Sequence, residues 1–384
     1  MKILDTFPNA EEFYRDYWGR APFVVRGGVP EGVIEGCIDG DSLAGLSMEE
    51  DVKSRLVITA PEGGKWACEH GPFEEERFGS LSETHWSLLV QNVEQYHVET
   101  AEILSSFGFA PRWLMDDVMV SYSEAGGSVG PHIDSYHVFL VQGQGRRTWR
   151  VSDAPIVDPV YVDGLDLQVL RDGFAGDAVE VTCGDVLYIP PAFGHEGTTS
   201  EAAMTFSVGF LGPKMSEMLV EYGHHLEQSG GDTRYSGAGL DASSAGAVMS
   251  GAVAAGVQAD LVSALSADSF ARWMAQYFSQ ATHMDDEDID GREDVMNAQD
   301  LDAALLTGGV LRLPAEVKIV ISATDTDGYV VAVYGEAYGV DGALAQLLQH
   351  KAAVSDDDLM AVADRARALD VLAALYNRDV LVLD

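Results

Sequence analysis

The chain has 384 residues, of which nearly half are hydrophobic, so it can bury a large core and divide into two or three domains. Its formal net charge of −39 excludes a phosphate-binding surface of clustered Lys and Arg, so direct nucleic-acid binding is not expected. It contains no apolar run of eighteen residues, which excludes a membrane span, and its acidic start lacks the basic-then-apolar order of a secretory signal, which points to the cytoplasm.

In chain order, "NAEEFYRDYW" reads as an amphipathic helix capped at Asn9. "PFVVRGG", "SRLVITAP" and "WSLLVQNV" read as strands, and "VETAEILSSFGF" as a helix closing at Gly108. From Val118 to Phe210 short strands alternate with Gly, Pro and Asp turns: "VMVSYS", "YHVFLVQG", "RTWRVS", "AVEVT", "DVLYIP" and "AMTFSVGF". That density of strands and turns predicts a jelly-roll. Beyond Gly212 the pattern turns helical, in "KMSEMLVEYGHHLEQ" and, after a small-residue stretch from Ser236 to Val257, in "QADLVSALSADSFARWMAQYFSQATH". The run "MDDEDIDGRED" reads as a solvated linker. From about Ala298 the order is helix, hairpin, helix and final strand. The hairpin turns at Asp327-Gly328, one helix over "SDDDLMAVADRARALDVLAAL" is capped at Ser355, and "DVLVL" ends the chain. The three cysteines, Cys37, Cys68 and Cys183, match no metal or disulfide spacing and read as ordinary thiols.

The chemistry concentrates in "PHIDSYHVF", Pro131 to Phe139. Side chains two apart on a strand share a face, so His132 and Asp134 point the same way and His137 points the other. An imidazole and a carboxylate on one face can occupy adjacent positions around a divalent ion. A distant imidazole would complete the 2-His-1-carboxylate set of non-haem Fe(II) sites. An HxD triplet alone is weak evidence, and a second one, His283-Met284-Asp285, lies in the acidic linker with no strand to align it. The first has context. It follows the turn "EAGGSVGP" and enters an apolar strand, and "CGDVLYIPPAFGHEG" downstream offers His195 just past a strand end. In "GQGRRTWRV", alternation places Arg147, Trp149 and Val151 on one face and Arg146, Thr148 and Arg150 on the other. Arg147 is the inward arginine, and a buried guanidinium calls for a carboxylate, from the protein or from a ligand such as 2-oxoglutarate. Ser121 could add a hydroxyl, and Tyr136, on the metal-facing side, is a candidate lining residue for substrate.

"SYSEAGGSVGPHIDSYHVFLVQGQGRRTWRV", with "GDVLYIPPAFGHEG" and "FSVGF", resembles the bacterial ribosomal oxygenases of the JmjC cupin class. The resemblance implies an α+β protein: a double-stranded β-helix (jelly-roll) catalytic domain over residues 1–212, a helical dimerisation region with linker over 213–297, and a winged-helix-like domain over 298–384. It implies a 2-oxoglutarate- and Fe(II)-dependent dioxygenase acting on a basic large-subunit ribosomal protein, with an arginine β-carbon as the favoured target, and a homodimer. His132, Asp134 and His195 then match the iron ligands, and Ser121 and Arg147 the residues holding the distal carboxylate of 2-oxoglutarate. Two other readings of the same residues stay open: a cupin-fold dioxygenase or isomerase of a small molecule, and a non-catalytic metal-binding scaffold.

Overall fold

The computed structural model describes residues 1–59, 66–230, 234–240, 249–265, 269–280, 292, 294–324, 328–351 and 353–384. They form two compact units, Met1–Gly212 and Pro213–Asp384. No helix among the described residues is long and apolar enough to cross a membrane.

The first unit is built from strands β1 (Lys2–Leu4), β2 (Phe23–Val25), β3 (Ser54–Ile58), β4 (Ala67–His70), β5 (Trp86–Val90), β6 (Met115–Ser123), β7 (His132–Ile133), β8 (His137–Gln142), β9 (Arg147–Pro155), β10 (Gly176–Val181), β11 (Val186–Ile189), β12 (Phe193–Thr199) and β13 (Ala203–Phe210). They make a nine-stranded sheet in the order β1-β2-β11-β8-β13-β6-β5-β3-β4 and a four-stranded sheet in the order β10-β9-β12-β7. This is the jelly-roll. The sequence shows why each strand lies where it does. β13 and β11 are buried along their whole length and so read as unbroken apolar runs, as strands covered on both faces must. β9 begins buried-exposed-buried-exposed, because its outer face meets water.

Between the sheets, Val138, Leu140, Leu187 and Ile189 pack against Trp149, Val151, Val179 and Val181. On the other face of the nine-stranded sheet Phe139 meets Phe13, Phe107 and Tyr188, at ring separations of 5.9, 4.7 and 4.9 Å. The N-terminal segment and the segment before β6 therefore close the outer side of the sheet, and the space between the sheets is left for the site.

Several expectations are corrected. Asn9 does cap, accepting from the Glu12 amide at 3.0 Å. The helix is only Ala10–Glu12, however, and continues as a π-type turn, Phe13–Tyr17. The strand expected through "QNV" stops at Val90, because Asn92 is left-handed (φ 55°) and opens a short helix. β1, β4, β7 and β12 are too short or too irregular in polarity to announce themselves. His195 is accordingly not beyond a strand end but within β12.

In the second unit, helices Met215–Gln228, Gly251–Leu265 and Ser269–Phe278 precede helix Ala298–Leu306 and two three-stranded sheets. The expected hairpin, Val320–Ala323 with Tyr329–Val333, gains a third strand, Glu336–Val340, through a turn at Tyr334 (φ 47°) and Gly335 (φ 75°). The single helix expected from Ser355 is two. Ser355 and Asp358 cap Asp356–Leu359, and a second cap, Asp364, accepts from the Arg367 amide and starts Arg365–Asn377. The His283–Asp285 triplet, most of the acidic run and Asp327 lie outside the described residues.

Candidate metal centre

β7 pairs antiparallel with β12, with His132 directly opposite His195. Directly opposed residues of an antiparallel pair share a face, so pairing alone brings together two imidazoles 63 positions apart in the chain. Their ring centroids are 4.1 Å apart. Asp134 follows two residues after His132, and its carbonyl accepts from the Ala192 amide at 2.8 Å, which ties it to the entry of β12. Its Oδ2 lies 3.3 Å from His195 Nε2. One ligand atom from each of the three residues lies within 4.8 Å of the others.

Backbone contacts orient both rings. His132 Nδ1–H donates to the Gly130 carbonyl at 2.9 Å, and His195 Nδ1–H to the Phe193 carbonyl at 3.0 Å. A carbonyl only accepts, so each ring is protonated at Nδ1 and keeps its Nε2 lone pair for a ligand. Burial, aided by the neighbouring His195, pushes the His132 imidazole down to about 4. Burial alone would raise the Asp134 carboxyl. The adjacent His195, and after it His132, outweigh burial and hold the group at about 2. Two Nε2 nitrogens and one carboxylate thus face one another, the donor chemistry of a 2-His-1-carboxylate site.

The triad opens on a cavity of about 530 Å³ lined by Ser121, Ser123, Tyr136, Arg147, Trp149 and Thr205, among others. Arg147 is 5% exposed. Its Nη2 donates to Ser123 Oγ at 2.5 Å, its Nε has no partner, and its guanidinium stands 5.6 Å from the Trp149 ring. Among the described residues no carboxylate pairs with it, so burial pushes the guanidinium down to about 10. Ser121 lines the same cavity and donates to the Thr205 carbonyl at 3.4 Å. The partner of Arg147 in the protein is Ser123, which the sequence reading passed over although it shares a face with Ser121.

Gly197 lets the cavity wall form. A Cβ there would meet the Trp149 ring at 2.7 Å. Tyr136 faces the cavity, and burial raises its phenol. His137 faces away, stacked on Trp18 at 3.5 Å and sharing a hydrogen bond with the Tyr188 hydroxyl at 2.8 Å. Cys37, Cys68 and Cys183 are free thiols outside the lining. Two further residues escaped notice in the sequence. Arg55 of β3 lines the cavity. Asp117 of β6 is half-buried, its carboxyl raised by desolvation to about 7, and it neighbours Tyr136 across Gly209. Both sit in strands whose polarity pattern gave no sign of a pocket.

The JmjC domain family matches residues 102–218, the segment that carries the triad and Arg147. The chain is 32% identical to a ribosomal oxygenase of Escherichia coli, YcfD, over 98% of both chains, with a TM-score of 0.78. It belongs to the JmjC ribosomal oxygenase family. Among curated relatives, the ribosomal protein uL16 3-hydroxylase of E. coli is 40% identical over 57% of this chain and 57% of its own length. A probable ribosomal oxygenase of Haemophilus influenzae is 39% identical over 54% of this chain and 51% of its own. The chain thus spans just over half the length of these curated relatives. YcfD has also been solved in complex with cobalt and 2-oxoglutarate, and this family member matches that structure with the same TM-score, 0.78.

Proposed function

We propose that this protein is a 2-oxoglutarate- and Fe(II)-dependent dioxygenase that hydroxylates a side chain of a large-subunit ribosomal protein, the β-carbon of an arginine being the favoured target. The observation that carries the reading is the meeting of His132, Asp134 and His195 on one cavity with a buried arginine, Arg147, that no carboxylate among the described residues pairs with. The two Nε2 atoms and a carboxylate oxygen would hold the ion, leaving open positions for a chelating 2-oxo acid and dioxygen. Arg147 would hold the distal carboxylate, with Ser121 and Ser123 as hydroxyl neighbours. A guanidinium that is buried at a cost in the free protein becomes favourable when a dianionic ligand pairs with it.

The bound ion and 2-oxo acid supply oxidative decarboxylation: substrate C–H, dioxygen and 2-oxoglutarate give C–OH, succinate and carbon dioxide. The protein's own part is to fix the imidazole tautomers, to keep Asp134 ionised, to orient the diacid along the cavity, and to exclude water with Trp149, Leu140 and Val138. Tyr136, which lines the cavity with Asp117 nearby across Gly209, would receive a basic side chain. The net charge of −39 favours a basic partner at a distance. The printed names of the relatives support the substrate class: uL16 3-hydroxylase and ribosomal oxygenase. The 3-position of an amino acid is its β-carbon.

The helical part of the second unit is proposed as a homodimerisation region. Met215, Leu219 and Val220 are exposed on helix Met215–Gln228, and a second copy would cover them. Residues 298–384 are proposed as a winged-helix-like domain on their order of helices and small antiparallel sheets, and the cytoplasm as the compartment where ribosomal proteins are met.

The test is mass spectrometry of purified ribosomal proteins incubated with the protein, Fe(II) and 2-oxoglutarate. One added oxygen on one large-subunit protein is expected, together with succinate. Succinate and product formed equally well by His132→Ala would refute the assignment.

A further inference from the structure

Arg55 faces the same cavity as Arg147 but from the opposite sheet. Registers place Arg55 opposite Leu89, Leu89 opposite Ser121 and Ser121 opposite Thr205, so the four form one row across the nine-stranded sheet, and all four line the cavity. The Arg55 side chain leans along the sheet. Its Nη2 reaches Met119 Sδ at 3.9 Å, a weak contact, and among the described residues no carboxylate pairs with it.

Strand arithmetic fixes its level in the cavity. Arg147 and Ser123 touch at one end. On β9 four residues separate Arg147 from Val151, which pairs with His195. On β6 four residues separate Ser123 from Met119. At about 3.3 Å per residue both steps are roughly 13 Å. β8 fixes their common direction: Gln142, at the end leading into β9, stands in the row of Thr205 and Ser121, and Leu140 in the row of Ser207 and Met119. The Arg55 guanidinium, beside Met119, therefore stands at the level of the triad, while Arg147 stands far below it.

A cation in a cavity wall at the level of the metal ligands, near the charges of Asp134 and Asp117 but in direct ion pair with no carboxylate among the described residues, can take an anion there. We propose that Arg55 binds the carboxylate at the chelating end of the 2-oxo acid, so that two arginines grip the diacid, one at each end. This rests on the 2-oxoglutarate reading above and assigns a second binding residue within it. The two arginines cannot substitute for each other, because their levels are separated by four residues on each wall.

The experiment uses the full chain loaded with cobalt(II) and calorimetric titration of two acids: 2-oxoglutarate, and 2-oxobutyrate, which has the chelating end but no distal carboxylate. Arg55→Gln should weaken both by about ten-fold or more, the worth of a charge-assisted hydrogen bond. Arg55→Lys should weaken both by less. Arg147→Gln should weaken 2-oxoglutarate alone. Unchanged affinities in Arg55→Gln overturn the inference and leave the 2-oxoglutarate reading intact. Failure of the wild-type protein to bind either acid overturns both. Loss of cobalt binding in both Arg55 variants also overturns it, since Arg55 would then be supporting the metal set itself.

Discussion

Arg147 yields a prediction with two opposite signs. In the free protein its guanidinium is buried with a serine and an indole for company, and burial lowers its pKa from 12.5 to about 10. At 1.36 kcal/mol per unit, holding the charge there costs about 3 kcal/mol. Arg147→Met keeps most of the packed volume and removes the charge, but it strips Ser123 of its donor, at about 1 kcal/mol. The ligand-free variant should therefore be more stable than the wild type by about 2 kcal/mol. With 2-oxoglutarate and cobalt present the order should reverse. The diacid's distal carboxylate would then be buried without a partner, a loss of about 3–5 kcal/mol, or roughly a hundred- to a few thousand-fold in affinity. Saturating ligand at about a hundred times its Kd adds about 2.7 kcal/mol to the wild type and almost nothing to the variant. Urea unfolding with and without ligand measures all four states. A ligand-free variant less stable than wild type, or equal ligand stabilisation in both proteins, refutes the reasoning.

Further expectations concern the triad and its surroundings. His195→Ala should abolish cobalt binding, visible in the cobalt absorption spectrum, and turnover with it; retained binding would place the metal elsewhere. His132 titrates near 4 in the folded protein and near 6.5 when unfolded, so the unfolded state takes up its proton first as pH falls. This group's contribution to stability is therefore intact above about pH 6.5 and is lost between 6.5 and 4, up to about 3 kcal/mol; His132→Gln should flatten that part of the profile in urea unfolding. Glu94 has the opposite sign. It is buried, accepts from the Val118 amide at 2.9 Å, and is raised by burial to about 7. It thus stays protonated in the folded protein after the unfolded chain has released its proton, and it costs stability as pH rises from about 4.5 through 7. Glu94→Gln should gain about 2 kcal/mol at pH 8 and little at pH 5; equal effects at both would contradict the buried-acid account. Gly197→Ala should lose about 1–3 kcal/mol in unfolding and weaken 2-oxoglutarate, since its methyl group drives into the Trp149 ring; a neutral substitution would show that the wall yields.

Much of this was legible from short-range pattern. Alternation in "RRTWRV" put Arg147 and Trp149 inside, and both are buried. The two-residue spacing put His132 and Asp134 on one side and His137 on the other, and the structure has them so. These inferences succeed because the strand period is a local property of the chain, and water decides which face is which. What depended on partner strands was not legible. Ser123 and Arg55 could be assigned only after β3, β5, β6 and β13 were in register, because their significance lies in what stands opposite them. The split of the last long helix was missed because two capping acids, Asp358 and Asp364, lie close together, and nothing local says that the second begins a new helix.

By itself the sequence determined the kinds of side chain available for a metal and a diacid, and which of them share a strand face. Only the tertiary structure decided that His195 sits within β12, opposite His132 rather than past a strand end, and that no protein acid among the described residues reaches Arg147. The physical reason is that side-chain direction is set by the dihedrals of a few neighbouring residues, whereas opposition across a sheet is set by hydrogen-bond register between segments far apart in the chain.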